Sequence, residues 1–205
     1  MKVIWGICAG LGGAEMAFEN DSNWKVIRID NNEKLLDQGI KNLEIKNVLN
    51  WQSWVPDLIK KYGQPEIIIA GPPCLEFSNA YSGPKMKHYR ANGGLDSYEP
   101  DMSLVWACQD LISYVKPKWW IVENVAGACP YFDEVFGTHE QKISGFVLWG
   151  RFPQLILPSN FKHSKFENDT WSTDPLRANR RAVWPLEISQ AVLTAIESQS
   201  TLDSW

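Results

Sequence analysis

Histidine is scarce in this chain, with three in 205 residues, and the four cysteines (Cys8, Cys74, Cys108 and Cys129) contain no C-x-x-C pair. Zinc sites and disulfide frameworks are built from clusters of these residues, so a reduced, metal-free, cytoplasmic protein is the expectation. No apolar run approaches the length of a membrane span, and the apolar stretch at residues 1–8 is too short for a signal peptide. Positive charge is also lacking. The net charge of -4 and pI near 5.4 argue against strong non-specific nucleic-acid affinity from overall charge and leave local basic patches to hold a phosphate backbone. Internal repeats, low-complexity tracts and a clear linker are absent, and 205 residues suit one well-packed domain spanning 1–205.

Strand and helix patterns alternate along the chain. Residues 2–8 read as a strand, 9–13 as a glycine loop and 14–18 as a helix. Glu15 stands where the third glycine of G-x-G-x-x-G would fall, so the dinucleotide fingerprint is incomplete. The loop still allows close backbone approach to a ligand. Residues 24–29 form a second strand ending at Asp30, which lies 20 residues past Gly10. An acid at that distance suits a ribose diol, or it caps the helix expected over 31–43. A third strand is expected over 45–49 and a helix over 53–62. The α/β alternation argues for a doubly wound, mostly parallel sheet.

Glu66-Ile67-Ile68-Ile69-Ala70-Gly71-Pro72-Pro73-Cys74 is a short apolar strand stopped by two prolines. Cys74 therefore sits past a strand's C-terminal end, the edge where open α/β sheets bind ligands. A buried apolar packing role is the alternative for a single cysteine. About two dozen loop residues follow, carrying Lys85-Met86-Lys87-His88-Tyr89-Arg90, a basic and aromatic cluster suited to phosphate contact or to a solvated surface. A helix over 102–115 leads to a strand at 118–122 that closes with Glu123-Asn124-Val125. Parallel strands would bring Glu123 to the same edge as Cys74, where partial burial favours a protonated carboxyl able to act as a general acid. Another strand is expected over 143–149, then an irregular segment to residue 175. Near the C-terminus, residues 188, 192, 193 and 196 line one helix face. The 11 tryptophans are expected in core and surface packing, with base stacking open to some of them.

In order and spacing these segments resemble the cytosine-C5 DNA methyltransferases, enzymes with a Rossmann-like fold that use S-adenosyl-L-methionine. Cys8-Ala9-Gly10-Leu11-Gly12-Gly13 is similar to their first motif, Gly71-Pro72-Pro73-Cys74 with Phe77-Ser78 to the nucleophile motif, and Glu123-Asn124-Val125 to the cytosine-binding motif. Arg181-Ala182-Val183-Trp184-Pro185 resembles the last motif, with Arg180 and Arg181 in its Gly and Asn places. The resemblance implies Cys74 and Glu123 as catalytic residues. For the cofactor it implies Ala9, Gly10, Leu11, Gly12, Gly13, Asp30, Asn31, Asn50, Pro72, Leu104 and Val183. For the substrate it implies Ser78, Lys85, Lys87, Arg90, Asn124, Arg151, Arg177, Arg180 and Arg181.

Two departures stand out. The family's Gln-x-Arg-x-Arg motif retains Gln141 but has Ile143 and Gly145 in the arginine places, leaving Arg151, Lys142 or the cluster Arg177, Arg180 and Arg181 as stand-ins. Only about thirty residues separate Gly150 from Arg180, so 151–180 is a reduced recognition or connecting segment, and 181–199 is a C-terminal helix returning to the sheet. Lys162, His163 and Lys165 are candidate contacts to phosphate or base. The compactness resembles small phage-borne family members, which act in the host cytoplasm. The implied activity is methyl transfer to a flipped-out cytosine in double-stranded DNA by a monomer, without metal or membrane. RNA or a free cytidine nucleotide is the alternative substrate, and a catalytically impaired nucleic-acid-binding module the alternative class.

Overall fold

The structure is a computed structural model that describes residues 1–163 and 173–202; Lys165 lies outside the described residues. Seven strands form one mixed sheet in the order β3-β2-β1-β4-β5-β7-β6. They are β1 (Lys2–Ile7), β2 (Trp24–Asp30), β3 (Leu43–Ile45), β4 (Ile67–Ala70), β5 (Trp119–Asn124), β6 (Gln141–Ile143) and β7 (Phe146–Arg151). The first five are parallel, and the β6–β7 hairpin adds antiparallel to β5. Strand order reverses between β1 and β4, so the loops after these two strands open a crevice at the C-terminal edge.

The near-continuous apolar character of β1 and β4 follows from cover on both faces. On one face α2 (Val55–Tyr62), α4 (Ser103–Val115) and α5 (Cys129–Phe136) pack against Trp5, Ile68, Val122 and Trp149. On the other, α1 (Met16–Glu19) and α7 (Leu186–Leu202) pack against Ile4, Ile67, Ile69 and Ile121. The α7 positions 188, 192 and 196 are fully buried there. Ser189 ties α7 to α1 by accepting from Ala17 N at 3.0 Å and donating to Ala14 O at 2.7 Å.

Several expected elements come out differently. The helix expected over 31–43 is reduced to a 3-10 turn at Glu33–Gln38, because Gly39 (φ +68°) and Asn42 (φ +52°) are left-handed and break it. The third strand is Leu43–Ile45 rather than 45–49. Asn47 accepts from Leu49 N and caps a separate turn, Val48–Ser53. The long loop after Cys74 contains α3 (Pro84–Asn92), begun by a proline in its first turn and ended by left-handed Gly93. The strand expected over 143–149 is divided at Ser144 (φ +53°) into β6 and β7. The C-terminal helix expected over 181–199 is divided by extended Val183 into α6 (Arg177–Ala182) and α7, which starts only at Leu186, and α5 has no counterpart in the expected pattern.

Candidate active site

Cys74 reaches the site by the way β4 ends. Ala70 pairs with Val122 of β5, after which Pro72 is buried and Pro73 and Cys74 emerge exposed. Exposure removes the buried-packing alternative for this thiol. The Cys74 carbonyl accepts from Phe77 N (3.1 Å) and Ser78 N (2.9 Å), fixing a turn behind it. On the adjacent strand Glu123 is half-buried, and a Cβ on Gly71 would stand 4.0 Å from Glu123 Oε2 and 3.8 Å from the Cys8 carbonyl. The chain thus brings a thiol and a carboxyl to one edge through two neighbouring parallel strands.

Asn124, assigned by resemblance to the substrate, is only 1% exposed and is spent within the protein. Its Nδ2 donates to Pro72 O at 2.9 Å, and its Oδ1 accepts from Val125 N at 2.9 Å. It ties the Pro-Pro turn to β5 instead of facing a substrate.

The excursion from Leu75 to Asp101 is held by specific ties. Tyr98 donates to Glu76, with its hydroxyl 2.9 Å from the backbone carbonyl and 2.8 Å from Oε2. Burial and the neighbouring Glu76 carboxylate push that phenol's pKa up. Phe77 packs on Tyr131 and Phe132 of α5, with ring centroids 5.8 and 5.0 Å away. Lys85, expected at a phosphate, is 6% exposed, and its Nζ donates to Gly127 O at 3.1 Å. Desolvation lowers its pKa. The structure corrects its role: the ammonium joins the helix after the thiol to the segment after the carboxyl. Gly127 is required there, since a Cβ would collide with Phe77 O. Ser78 is half-buried and its Oγ accepts from Ala80 N at 3.1 Å, whereas Lys87 and Arg90 are exposed on α3.

The glycine loop after β1 is fastened to β2. Asp30, 8% exposed, accepts from Gly10 N through Oδ2 and from Asn32 N through Oδ1, both at 2.9 Å. Each oxygen retains a second acceptor direction, which suits a ribose diol. Gly10 (φ +53°) and Gly12 (φ +80°) take left-handed conformations, and a Cβ at Gly12 would run into the Arg28 guanidinium. Arg28, 2% exposed, binds Glu15 Oε2 (3.3 Å), both Glu19 oxygens (3.2 Å each), Lys41 O and Gly12 O. Burial pushes the Glu15 carboxyl up to about 7, although Arg28 pulls the other way.

The C-terminal segment folds over this loop. A Cβ on Gly13 would lie 2.5 Å from Trp184 N and 2.8 Å from Val183 Cγ1, and one on Gly10 would lie 3.1 Å from Asn179 Nδ2. Ala9, Leu11 and Val183 are half-buried, and Gly12 and Gly13 are buried. Asn31 and Asn50 are exposed beyond β2 and β3, and half-buried Leu104 starts α4. Asn179 was not singled out in the sequence. The only signal for it there is an asparagine just before Val183-Trp184-Pro185.

The stand-ins for the absent motif arginines separate by position. Arg151 pairs with Trp120 at the opposite end of β5 from Glu123, and its guanidinium donates to Lys118 O (2.9 Å) and Pro117 O (2.7 Å). It is excluded from the thiol edge by the antiparallel run of β7. Lys142 pairs with Val147, which in turn pairs with Asn124, so it stands at the correct end, two strands away. Gln141 is used by the fold, exchanging hydrogen bonds with the Leu155 backbone. Arg177, Arg180 and Arg181 ride on α6 beside the glycine loop, with Arg180 Nε 2.5 Å from Asp174 Oδ2. Lys162 and His163 lie past β7, where the His163 carbonyl accepts from Ser144 Oγ. A cleft of about 380 Å³ lined by Lys116, Trp120 and Arg151 lies at the far edge, away from Cys74.

A 126-residue stretch is 29% identical to the type II methyltransferase M.HindV of Haemophilus influenzae, covering 57% of this chain and 35% of that protein. The chain thus spans about a third of the length of this curated relative. The Entamoeba histolytica methyltransferase EhMeth shares the fold at a TM-score of 0.54 and 19% identity, over 82% of this chain and 61% of the other. A structure described as a DNA modification methyltransferase encoded within an E. coli prophage aligns at a TM-score of 0.46 and 16% identity, over 66% and 35%. The fold is the Rossmann-like one of the methyltransferases. The model of the C-5 cytosine-specific DNA methylases matches residues 3–134, a span holding the glycine loop, Asp30, Cys74 and Glu123, and the chain belongs to that family.

Proposed function

We propose that this protein transfers a methyl group to C5 of cytosine in DNA, through a covalent bond between Cys74 Sγ and C6 of a flipped-out base. The observation that carries this reading is that exposed Cys74, four residues past β4, and half-buried Glu123, near the end of β5, emerge at the same edge of two paired parallel strands. S-adenosyl-L-methionine, when bound, supplies the methyl group. The residues present suit it: Asp30 offers acceptors to the ribose diol, and Gly10, Gly12 and Gly13 keep side chains off the backbone.

Cytosine C5 is a weak nucleophile, and the protein's task is to make it a better one. The Cys74 thiolate adds to C6, the C5–C6 π pair moves toward C5, and Glu123 holds a proton at N3 to stabilise the charge that develops. After C5 is methylated, its proton is lost to a base and the pair reforms the double bond, expelling Cys74 Sγ. Inside a duplex C6 is stacked, so the base must leave the helix first. Lys87 and Arg90 are the exposed cations on α3 available to the backbone. Among the possible arginine stand-ins, Lys142 is the one whose strand position favours contact with the base.

The test is radiolabelled methyl transfer run in parallel on duplex DNA, tRNA and dCMP, together with trapping on 5-fluorocytosine DNA. Label in duplex DNA and a denaturation-resistant adduct that Cys74→Ala abolishes are expected. Transfer confined to tRNA or dCMP would reassign the substrate, and an active Cys74→Ala protein would overturn the mechanism.

A further inference from the structure

Beneath the glycine loop lies a charge cluster that the methyl-transfer chemistry does not use. Glu15 and Arg28 are buried where the chain passes from the loop into α1, and Glu19 closes the cluster with a side chain 29% exposed. The Arg28 guanidinium makes five hydrogen bonds, to Glu15, to both Glu19 oxygens and to the Lys41 and Gly12 carbonyls, and so uses every N–H it has. Two carboxylates thus share one cation. With both ionised the cluster carries one net negative charge, and with a proton on Glu15 it carries none. Among the described residues, Arg28 of β2 and Glu19 of α1 are the charged groups acting on Glu15. β1 presents only Gly6 to it, and the α7 residue packed on α1 here is neutral Ser189, spent on Ala14 O and Ala17 N. The cluster touches the loop at both ends. Arg28 donates to Gly12 O at 3.5 Å, and a Cβ on Gly6 would collide with Glu15 Oε1 while lying 3.2 Å from Ala9 Cβ. The Glu15 carboxyl therefore lies against the base of the loop.

We propose that this cluster sets the preference of the site for the sulfonium cofactor over its thioether product, with Glu15 as the residue that controls it. The proposal rests on the glycine loop being the S-adenosyl-L-methionine site. When the methyl group leaves, sulfur keeps the electron pair of the broken C–S bond and loses its positive charge. Cofactor and product therefore differ by one methyl and one unit of charge. A carboxylate buried under the loop acts through protein of low dielectric and is little screened by salt. Ionised Glu15 favours the cation and has no such attraction for the neutral sulfur of the product, which eases product release. Binding and protonation are linked, so the cofactor must loosen the Glu15 proton by the factor with which ionised Glu15 tightens the cofactor. Burial, which raises this carboxyl to about 7, places the exchange near neutral pH. The preference is weak below that pH and full above it.

The test is titration calorimetry of the whole chain with S-adenosyl-L-methionine and with S-adenosyl-L-homocysteine, in buffers of different ionisation enthalpy, which reads the protons released on binding. At about pH 6.5 the ligands' own amino groups stay protonated, and wild type is expected to release about 0.3–0.5 proton with the cofactor and less than about 0.1 with the product. Glu15→Gln should release none with either, and Glu15→Asp, which keeps a carboxyl, should restore the release. Between about pH 6 and 8 the ratio of the two Kd values should move toward the cofactor by about threefold to fivefold more in wild type than in Glu15→Gln, a difference from which titration of the ligand cancels. The wild-type proton count decides the matter even where a variant fails to fold. Equal release with the two ligands would overturn the proposal, as would the same pH dependence in Glu15→Gln. A wild-type protein that binds neither ligand rejects the cofactor site itself and the proposal with it, so the two failures are told apart.

Discussion

Replacing Glu15 with glutamine should change how stability depends on pH, because this carboxyl is ionised at a cost. It is 1% exposed under the glycine loop, and burial raises its pKa from the ordinary 4.5 to about 7. The folded protein therefore holds the proton more tightly than the unfolded chain. The associated stability is complete below about pH 4.5 and is lost as pH rises through about 7. At 1.36 kcal/mol per pH unit, the whole displacement amounts to about 3 kcal/mol, of which about 2 kcal/mol falls between about pH 5.5 and 8.5. Glutamine keeps an oxygen for Arg28 Nε and has no proton to lose. Urea unfolding followed by tryptophan fluorescence across that range should show the Glu15→Gln protein gaining on wild type as pH rises, by about 2 kcal/mol in total. A gap that stays constant, or that closes as pH rises, would mean that the Arg28 ion pair outweighs burial and would refute the reasoning.

Two further perturbations test the ties around the site. Gly13→Ala places a methyl 2.5 Å from Trp184 N, a backbone atom with little freedom to move. It should destabilise by about 1–3 kcal/mol, a fall in Tm of about 2–12 °C, and weaken S-adenosylmethionine binding measured by calorimetry. Gly94→Ala, which meets nothing within 4 Å, is the control and should stay within about 0.5 kcal/mol of wild type. Lys85→Met keeps the apolar stem but removes the donor to Gly127 O, a loss of about 1–2 kcal/mol from the loop's attachment. It should lower kcat by about tenfold with cofactor affinity unchanged, and speed tryptic cleavage after the exposed Lys87 and Arg90. Unaltered kcat and cleavage would show that the Tyr98–Glu76 bond holds the loop without Lys85.

Elements with strong local patterns were legible in the sequence. The apolar runs of β1, β4 and β5 and the face of α7 at 188, 192 and 196 could be read because burial on two faces or one leaves a periodic signature. α3 has no such pattern: only one of its residues, Lys85, is buried, so apolar periodicity missed it although Pro84 and Gly93 mark its ends. The helix expected over 31–43 failed for the opposite reason, since left-handed Gly39 and Asn42 prevailed over a plausible composition.

The order of the motifs and the edge on which Cys74, Glu123 and Asp30 emerge were determined by the sequence itself. Strand ends are marked locally by glycine, proline and the limits of apolar runs, and a parallel sheet turns that one-dimensional order into a shared edge. What each polar side chain does was decided only by tertiary structure. Lys85 and Asn124 look like substrate contacts in sequence, yet folding buries both and spends them on Gly127 and Pro72. Arg151 looks close to the site along the chain, and the reversal of β7 carries it to the opposite end of the sheet. Tyr81 carries no signal in the sequence, and only the fold brings Arg90, nine residues later, back to hold it. Sequence pattern records which residues leave water in periodic order. The partner a buried charge finds depends on which segments the fold brings together, and no local pattern encodes that.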